Sequence, residues 1–420
     1  MRRRDPVFDR SRHLPGRPRP NFPLHTRAIS GKIPFASEAK MTSSWTLEHL
    51  RGLDGECRSS TRVYTRDECL RMFPALYIWD PWPVLLPDGG PAVVDGAEIW
   101  MGLSAPSSLE PRRRHDVARL RLMSLERHRW RDHGNVFERG ALPGSREWAG
   151  CATYDPDTAR IEVWYTATGR HGEEELSFIQ RIFRASATLA GGKEGFELRD
   201  WTDHRELARQ GGYYRSTLEQ MAGEPGFIKG FRDPSRFVDP ADGRLYGLFT
   251  ASLAGSRTDF DGAVGAFAGE SAGELELLPP LLLADGVNNE LERPHIVHRD
   301  GLYYLFYSTQ ARTFHPRASG PTGMYGFVAD RLDGDWTPLN GSGLVLRNPP
   351  DEPFQAYSWL VMNDLSVVGF IDFPNMAGLL PEEAEARGDA RRYFAGTIGW
   401  QPVGLGTILP RRRDFRISRA

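Results

Sequence analysis

Apolar and polar positions alternate with a period of two over many short stretches of this chain. Glu98–Leu103, Arg119–Leu125, Ile161–Thr168, Leu245–Ala251, Ala263–Phe267, Leu302–Ser308, Tyr325–Ala329 and Thr397–Trp400 are rich in β-branched and aromatic residues, which predicts strands. Turn residues separate them: Asp88-Gly-Gly, Asp155-Pro-Asp, Asp239-Pro-Ala-Asp-Gly and Asp300-Gly. Helical periodicity is scarce. Residues 41–71 read as an amphipathic helical segment, in which Thr46 is a weak cap and Thr65 with Glu68 forms a capping box. Shorter helices are expected near Asp203–Gln210 and over Pro381–Ala390. Many short strands with few helices predict an all-β sandwich, barrel or propeller.

A loose repeat narrows the choice. Asp242-Gly-Arg-Leu-Tyr-Gly-Leu-Phe-Thr and Asp300-Gly-Leu-Tyr-Tyr-Leu-Phe-Tyr-Ser share a pattern, and Asp157-Thr-Ala-Arg-Ile-Glu-Val-Trp-Tyr-Thr is a fainter copy. Their separation exceeds the usual blade period, which fits large propeller blades with inserted loops. In such a fold, carboxylates far apart in sequence can converge at a central funnel.

Composition changes the picture in two places. The first 40 residues carry ten Lys/Arg, three Asp/Glu and six Pro, and read as a basic, disordered arm; residues 41–420 then carry a net charge of −9. An acidic body does not suit a nucleic-acid binder. Three cysteines make no disulfide framework or CxxC metal site, although a Cys57–Cys69 bridge is open. No apolar run is long enough for a membrane span. The start lacks the apolar core of a secretory signal, so a cytoplasmic location, or export without a recognisable signal, is expected.

Candidate chemistry gathers in four stretches. In Trp79-Asp80-Pro81-Trp82-Pro83 the prolines stiffen the backbone, and the flanking rings would wall a carboxylate with flat, partly polar surfaces suited to a sugar. Taken alone it also reads as a turn-starting Asp with two packed indoles. Glu147-Trp148-Ala-Gly repeats the acid-beside-Trp theme. In Phe231-Arg232-Asp233-Pro234, strand neighbours point to opposite faces, so Arg232 and Asp233 need not pair. Glu290 and Glu292 are two apart and would share one face, where each raises the other's pKa unless a cation intervenes. A raised pKa suits a general acid; a solvated acidic edge strand is the bland reading.

Together and in this order, Trp79-Asp80-Pro-Trp-Pro, Glu147-Trp-Ala-Gly, Arg232-Asp-Pro and Glu290-Leu-Glu292-Arg-Pro resemble glycoside hydrolase family 68, the levansucrases, inulosucrases and bacterial β-fructofuranosidases. The resemblance continues through Tyr304-Leu-Phe-Tyr-Ser, Pro321-Thr-Gly-Met-Tyr-Gly-Phe-Val and Tyr357-Ser-Trp, and covers roughly Trp45 to Gly406. It implies a single five-bladed β-propeller over residues 41–420, sucrose and acceptor sugars as partners, and no cofactor. By the same resemblance, Asp80 matches the nucleophile, Glu292 the acid/base and Asp233 the transition-state stabiliser. Trp79 and Trp148 match walls of the sugar site, Arg232 and Glu290 substrate-positioning residues, and Tyr357 a tyrosine near the acid/base. A retaining glycosidase places its two working carboxyls roughly 5–5.5 Å apart.

The chain departs from the pattern in places. Gln310 stands where many levansucrases carry Arg or His, and Trp359 where His is frequent. Both suggest an altered acceptor region, more hydrolysis and shorter products. Asn289 replaces an Asp used for calcium in some members, so no such calcium, and no other metal, is expected. The alternatives are an inverting, arabinanase-like five-bladed glycosidase and a propeller that only binds sugars.

Overall fold

The computed structural model describes residues 42–54, 60–138, 140, 142–192, 194–221, 228–400 and 405. The expected arm over residues 1–40 falls outside them, as does Cys57, one half of the open Cys57–Cys69 pairing.

Among the described residues the strands form five four- or three-stranded antiparallel blades. Blade I comprises β1 (Leu76–Leu85), β2 (Ala97–Pro106), β3 (Arg119–Glu126) and β4 (Arg129–Asn135). Blade II comprises β5 (Arg146–Asp155), β6 (Arg160–Thr168), β7 (Gln180–Gly192) and β8 (Gly195–Arg199). Blade III follows with β9 (Phe231–Val238), β10 (Leu245–Ser252), β11 (Gly262–Gly269) and β12 (Glu276–Leu283). Blade IV holds β13 (Glu292–Arg299), β14 (Leu302–Thr309), β15 (Gly323–Ala329) and β16 (Leu344–Arg347). Blade V holds β17 (Ala356–Val361), β18 (Val367–Ile371) and β19 (Thr397–Trp400). The first strand of each blade packs against the first strand of the next, and β17 packs back on β1, so five inner strands close a ring. This is the expected five-bladed β-propeller.

Every predicted strand is present. The Tyr/Phe-rich repeats are the second strands of blades II, III and IV, and the Asp-Gly turns before β10 and β14 are the hairpins leading from the inner strands. Asp300 and Gly301 both have positive φ, 53° and 73°, as a two-residue hairpin turn requires. Blades II and III pack through aromatic rings: Trp164 lies 5.7 Å from Phe267, which stacks 5.5 Å from Phe249 within blade III. A Cβ on Gly247 would come within 1.9 Å of the Phe267 ring, so glycine there lets the ring lie across its neighbouring strand.

Two helical expectations fail. Within residues 41–71 only Leu47–Leu50 is α-helical, followed by a 3-10 turn at Arg51–Asp54. The segment is recruited by blade edges instead. Ser43–Ser44 pair in parallel with Leu282–Leu283 of β12, the Thr61 amide donates to the Arg347 carbonyl at 2.8 Å, and Gln355 donates to Thr61 and Arg62. Half of the Thr65/Glu68 box forms: the Thr65 amide donates to Glu68 at 2.9 Å, but the Thr65 hydroxyl donates to the same carboxylate at 2.7 Å, and the segment is a turn rather than a helix. Around Asp203–Gln210, Arg205–Glu206 pair with the edge of β7. The helix at the start of Pro381–Ala390 is present as Pro381–Ala386.

Each inner strand also carries one extra residue near its start. Trp79 to Trp82 spans three steps against two on β2, and the same holds for Arg232–Ser235, Glu292–His295 and Tyr357–Leu360. In blade II the extra residue lies between Trp148 and Gly150. Four of these β-bulges put a non-glycine residue at positive φ: Asp80 (46°), Asp233 (56°), Arg293 (52°) and Ser358 (58°). Such conformations cost about 1–3 kcal/mol each and persist only where the surroundings hold them.

The surroundings do so through hydroxyls. Thr166, Thr250 and Ser308 sit on second strands opposite Trp148, Arg232 and Glu292. Each accepts a backbone N–H from the next blade: Asp233 at 2.9 Å, Arg293 at 3.2 Å and Trp359 at 3.0 Å. Replacing Thr166 by Val keeps the shape and removes the acceptor for the buried Asp233 amide. The expected destabilisation is about 1–3 kcal/mol by urea unfolding; a loss below a few tenths would show that this bond does not hold the bulge.

Candidate active site

A bulge cancels the alternation of a strand. The residue before it and the residue within it therefore both reach the funnel. The residues before the five bulges are Trp79, Trp148, Arg232, Glu292 and Tyr357, every one a sequence-predicted site residue. Two of the bulge residues are Asp80 and Asp233. The expectation that Arg232 and Asp233 point apart is corrected by the same geometry: Arg232 Nε lies 3.5 Å from Asp233 Oδ2.

Arg232 is the hub. Its Nη2 donates to Glu292 Oε1 at 2.9 Å and lies 3.5 Å from Glu290 Oε1. This is the cation that Glu290 and Glu292 need if they are to share a face. The Tyr357 hydroxyl donates to the other oxygen of Glu292, Oε2, and the Gln310 side chain bonds the Tyr357 hydroxyl. Asp233 Oδ2 accepts from Thr250 at 3.1 Å. Asp80 is held from blades IV and V: Ser358 bonds its carboxylate and Arg293 Nη1 stands 4.0 Å from Oδ1. Arg293 is itself fixed, donating to the Ser358 hydroxyl at 2.9 Å, the Ser358 carbonyl at 3.2 Å and the Pro81 carbonyl at 2.8 Å.

The three acids feel one another: the charge of Glu292 acts on both Asp80 and Asp233, and that of Asp80 acts on Asp233. Burial pushes the Asp80 carboxyl above its ordinary range, against the pull of Arg293 and the Ser358 bond. Burial pushes Asp233 up to about 7, with Arg232 opposing and Glu292 adding. Burial and the neighbouring Glu292 push Glu290 up to about 7, with Arg232 and Arg312 opposing. At the site, the buried donors Trp79 Nε1 and Arg232 Nη1 have no hydrogen-bond partner among the described residues. An oxygen-rich ligand would supply the missing acceptors.

Other expected positions take different roles. Glu147 is fully buried beneath the site, paired with Arg119 at 2.7 Å and accepting the Leu120 amide at 2.8 Å, so it belongs to the scaffold. Trp359 is fully buried against the edge of Tyr357 and does not line an acceptor region, which corrects that expectation. Asn289 Oδ1 accepts from the Lys229 ammonium at 3.2 Å; that ammonium also bonds Asp261 Oδ1 at 3.0 Å and the Asp259 carbonyl at 2.6 Å. A lysine thus occupies the oxygen cluster at this position. Among the described residues no His, Cys, Asp or Glu group is arranged to hold a metal ion.

Sequence reading missed Arg293, Ser358, Thr250, Arg114, His115, Arg312 and Asp372. Arg114 lies over the Trp79 ring at 5.6 Å, and its charge acts on Asp80 and Asp372. Arg312, two residues past Gln310, is exposed, and its charge acts on Glu290 and Asp372. The signal for Arg293 was available, since Asp80, Asp233 and Arg293 each precede a proline within an inner strand.

A closed ring of five blades, with paired carboxylates and indoles at the bulges of its inner strands, defines a carbohydrate-active β-propeller. Residues 35–273 and 261–378 match the levansucrase/invertase family, and the chain belongs to that family, glycoside hydrolase family 68. Levansucrase LscB of Pseudomonas savastanoi pv. glycinea is 35% identical over 343 residues, which cover 72% of this chain and 77% of that protein. Levansucrase Lscbeta of Pseudomonas syringae pv. actinidiae is 33% identical over 394 residues, 79% of this chain and 88% of the relative. Among solved structures, the inulosucrase of Halalkalicoccus jeotgali bound to kestose superposes with a TM-score of 0.76 at 37% identity, covering 85% of this chain and 91% of that one. The β-fructofuranosidase catalytic domain of Microbacterium saccharophilum K-1 gives 0.70 at 26% identity, covering 82% and 86%.

The raised pKa of Asp233 has a consequence for stability. Its protonated form is favoured in the folded state, so this contribution is complete below the unfolded value of 3.8 and is lost as pH rises through about 7. Asp233→Asn carries no such loss. The melting temperature of Asp233→Asn should therefore gain on wild type between pH 5 and pH 8; a difference constant over that range would refute the shift.

Proposed function

We propose that this chain is a retaining β-fructosidase that acts on sucrose through a covalent fructosyl-enzyme. The observation that carries the reading is Glu292, held by Arg232 on one oxygen and Tyr357 on the other, with Asp80 and Asp233 acting on it across the same funnel. Membership of family 68, and relatives named as levansucrase, inulosucrase and β-fructofuranosidase, support it.

In this reading Asp80 attacks the anomeric carbon of the fructosyl unit. The glycosidic C–O bond breaks, and Glu292 gives its proton to the departing glucose oxygen. Glu292, now a carboxylate, takes a proton from the acceptor. The acceptor oxygen attacks the same carbon and frees Asp80, and two inversions give net retention. Water as acceptor yields fructose; a sugar hydroxyl yields a fructan or oligosaccharide. Asp233, braced by Thr250, accepts from fructosyl hydroxyls, while Trp79 and Trp148 flank the ring. Arg232 and Glu290 orient the substrate beside Glu292.

Hydrolysis and short products are favoured. The amide of Gln310 is already engaged with Tyr357, and the nearby cation, Arg312, is exposed at the rim, so an incoming sugar meets no firmly held charge.

Incubation with sucrose, with glucose and fructose followed separately, tests the reading. Glucose release should fall by about three orders of magnitude or more in Asp80→Ala, and fructose should appear first with its configuration retained. Inverted product would favour an arabinanase-like enzyme. Unchanged sucrose that still binds would favour a binding protein. Gln310→Arg should raise the glucose-to-fructose ratio and lengthen products; an unchanged ratio would remove Gln310 from the acceptor side.

A further inference from the structure

His115 lies between the two tryptophans of the funnel. Its ring stands edge-on to Trp79, with centroids 5.4 Å apart and planes at 78°, and to Trp148, at 6.3 Å and 81°. The 3-10 turn Pro111–Asp116 presents it, and its carbonyl accepts the Trp148 indole N–H at 3.2 Å. That bond ties the turn to the wall of the pocket. The side chain is a different matter. The residue as a whole is half-buried, and among the described residues no group hydrogen-bonds either ring nitrogen. An imidazole that merely filled a core would have its polar atoms satisfied by the protein.

The geometry points to His115 as a sugar-binding residue that hydrogen-bonds a hydroxyl of the fructosyl unit held between Trp79 and Trp148. The inference rests on the reading of the site as a fructosyl pocket and goes beyond the residues to which that reading gives roles. Burial, with the charges of Arg114, Arg312, Arg232 and Arg146 around it, holds the ring well below the usual imidazole pKa. His115 is therefore neutral, with one nitrogen donating and the other accepting. A sugar hydroxyl needs both. The two indoles offer flat apolar faces and, through Trp79 Nε1, a donor; His115 adds an acceptor on the same wall without a charge to desolvate.

Two replacements separate this role from packing. His115→Phe keeps a ring between the tryptophans and removes both polar atoms. His115→Asn keeps a donor and an acceptor and loses the ring. Losing one hydrogen bond to a bound hydroxyl should lower kcat/KM for sucrose about 10–100-fold in the Phe variant, with the Asn variant recovering most of it. The loss should be the same, within about twofold, for raffinose, which gives up the same fructosyl unit from a different leaving group. The glucose-to-fructose ratio should not move, because His115 touches the fructosyl unit and not the acceptor. A Phe variant as active as wild type, with Asn impaired, would make His115 a packing residue and overturn the proposal. A loss confined to one leaving group, or a changed ratio, would move it to the acceptor side and also overturn it.

Calorimetric titration of sucrose into Asp80→Ala, with and without His115→Phe, decides the matter without turnover. Weaker binding of about 10-fold or more in the double variant supports the role, and equal binding removes it. The sucrose-turnover experiment on wild type tests the fructosidase reading separately.

Discussion

One extra residue in each inner strand is the constraint on which the site depends. A regular strand would send Trp79 and Asp80 to opposite faces, and likewise Arg232 and Asp233. The bulge puts both on the funnel side, at the cost of a left-handed backbone at Asp80, Asp233, Arg293 and Ser358. Proline supports this in three of the four cases: Pro81, Pro234 and Pro294 follow the strained residue and have no N–H to leave unpaired. Five copies of the same irregularity, closed into a ring, bring residues more than 270 positions apart in sequence to one place.

Charge is then balanced across blades. Arg232 from blade III serves Glu290 and Glu292 at blade IV, and Arg293 from blade IV serves Asp80 at blade I. Arg232 alone faces three carboxylates, those of Asp233, Glu290 and Glu292. Burial outweighs the attraction, so Asp80, Asp233 and Glu290 all lie above their ordinary range. A funnel with a surplus of buried acid over cation favours a proton held among the carboxylates, which acid/base work on a glycosidic oxygen requires.

Much of this was legible in the residues. The strands declared themselves by alternation, and the three acids by their prolines, arginine and tryptophans. What stayed hidden was hidden for physical reasons. Thr166, Thr250 and Ser308 look like ordinary strand residues, and their use as acceptors for the next blade depends on ring closure. Arg293 and Ser358 read as alternating to the scaffold side until the bulge is known. His115 sits in an irregular turn whose pattern, Arg-Arg-Arg-His-Asp, suggests only a basic surface. Residues 41–71 have a helical pattern, but exposed edges of β12 and β16 compete for the same backbone and win most of it.

The hydroxyl bonds also say where this molecule can be cut into interchangeable parts. Thr166 of blade II fixes Asp233 of blade III, Thr250 of blade III fixes Arg293 of blade IV, and Ser308 of blade IV fixes Trp359 of blade V. The heritable module is therefore offset from the visible blade: it runs from the second strand of one blade through the first strand of the next. A chimera joined at blade boundaries would part Asp233, Arg293 and Trp359 from the hydroxyls that hold them. One joined within the hairpin between first and second strands would carry the two together.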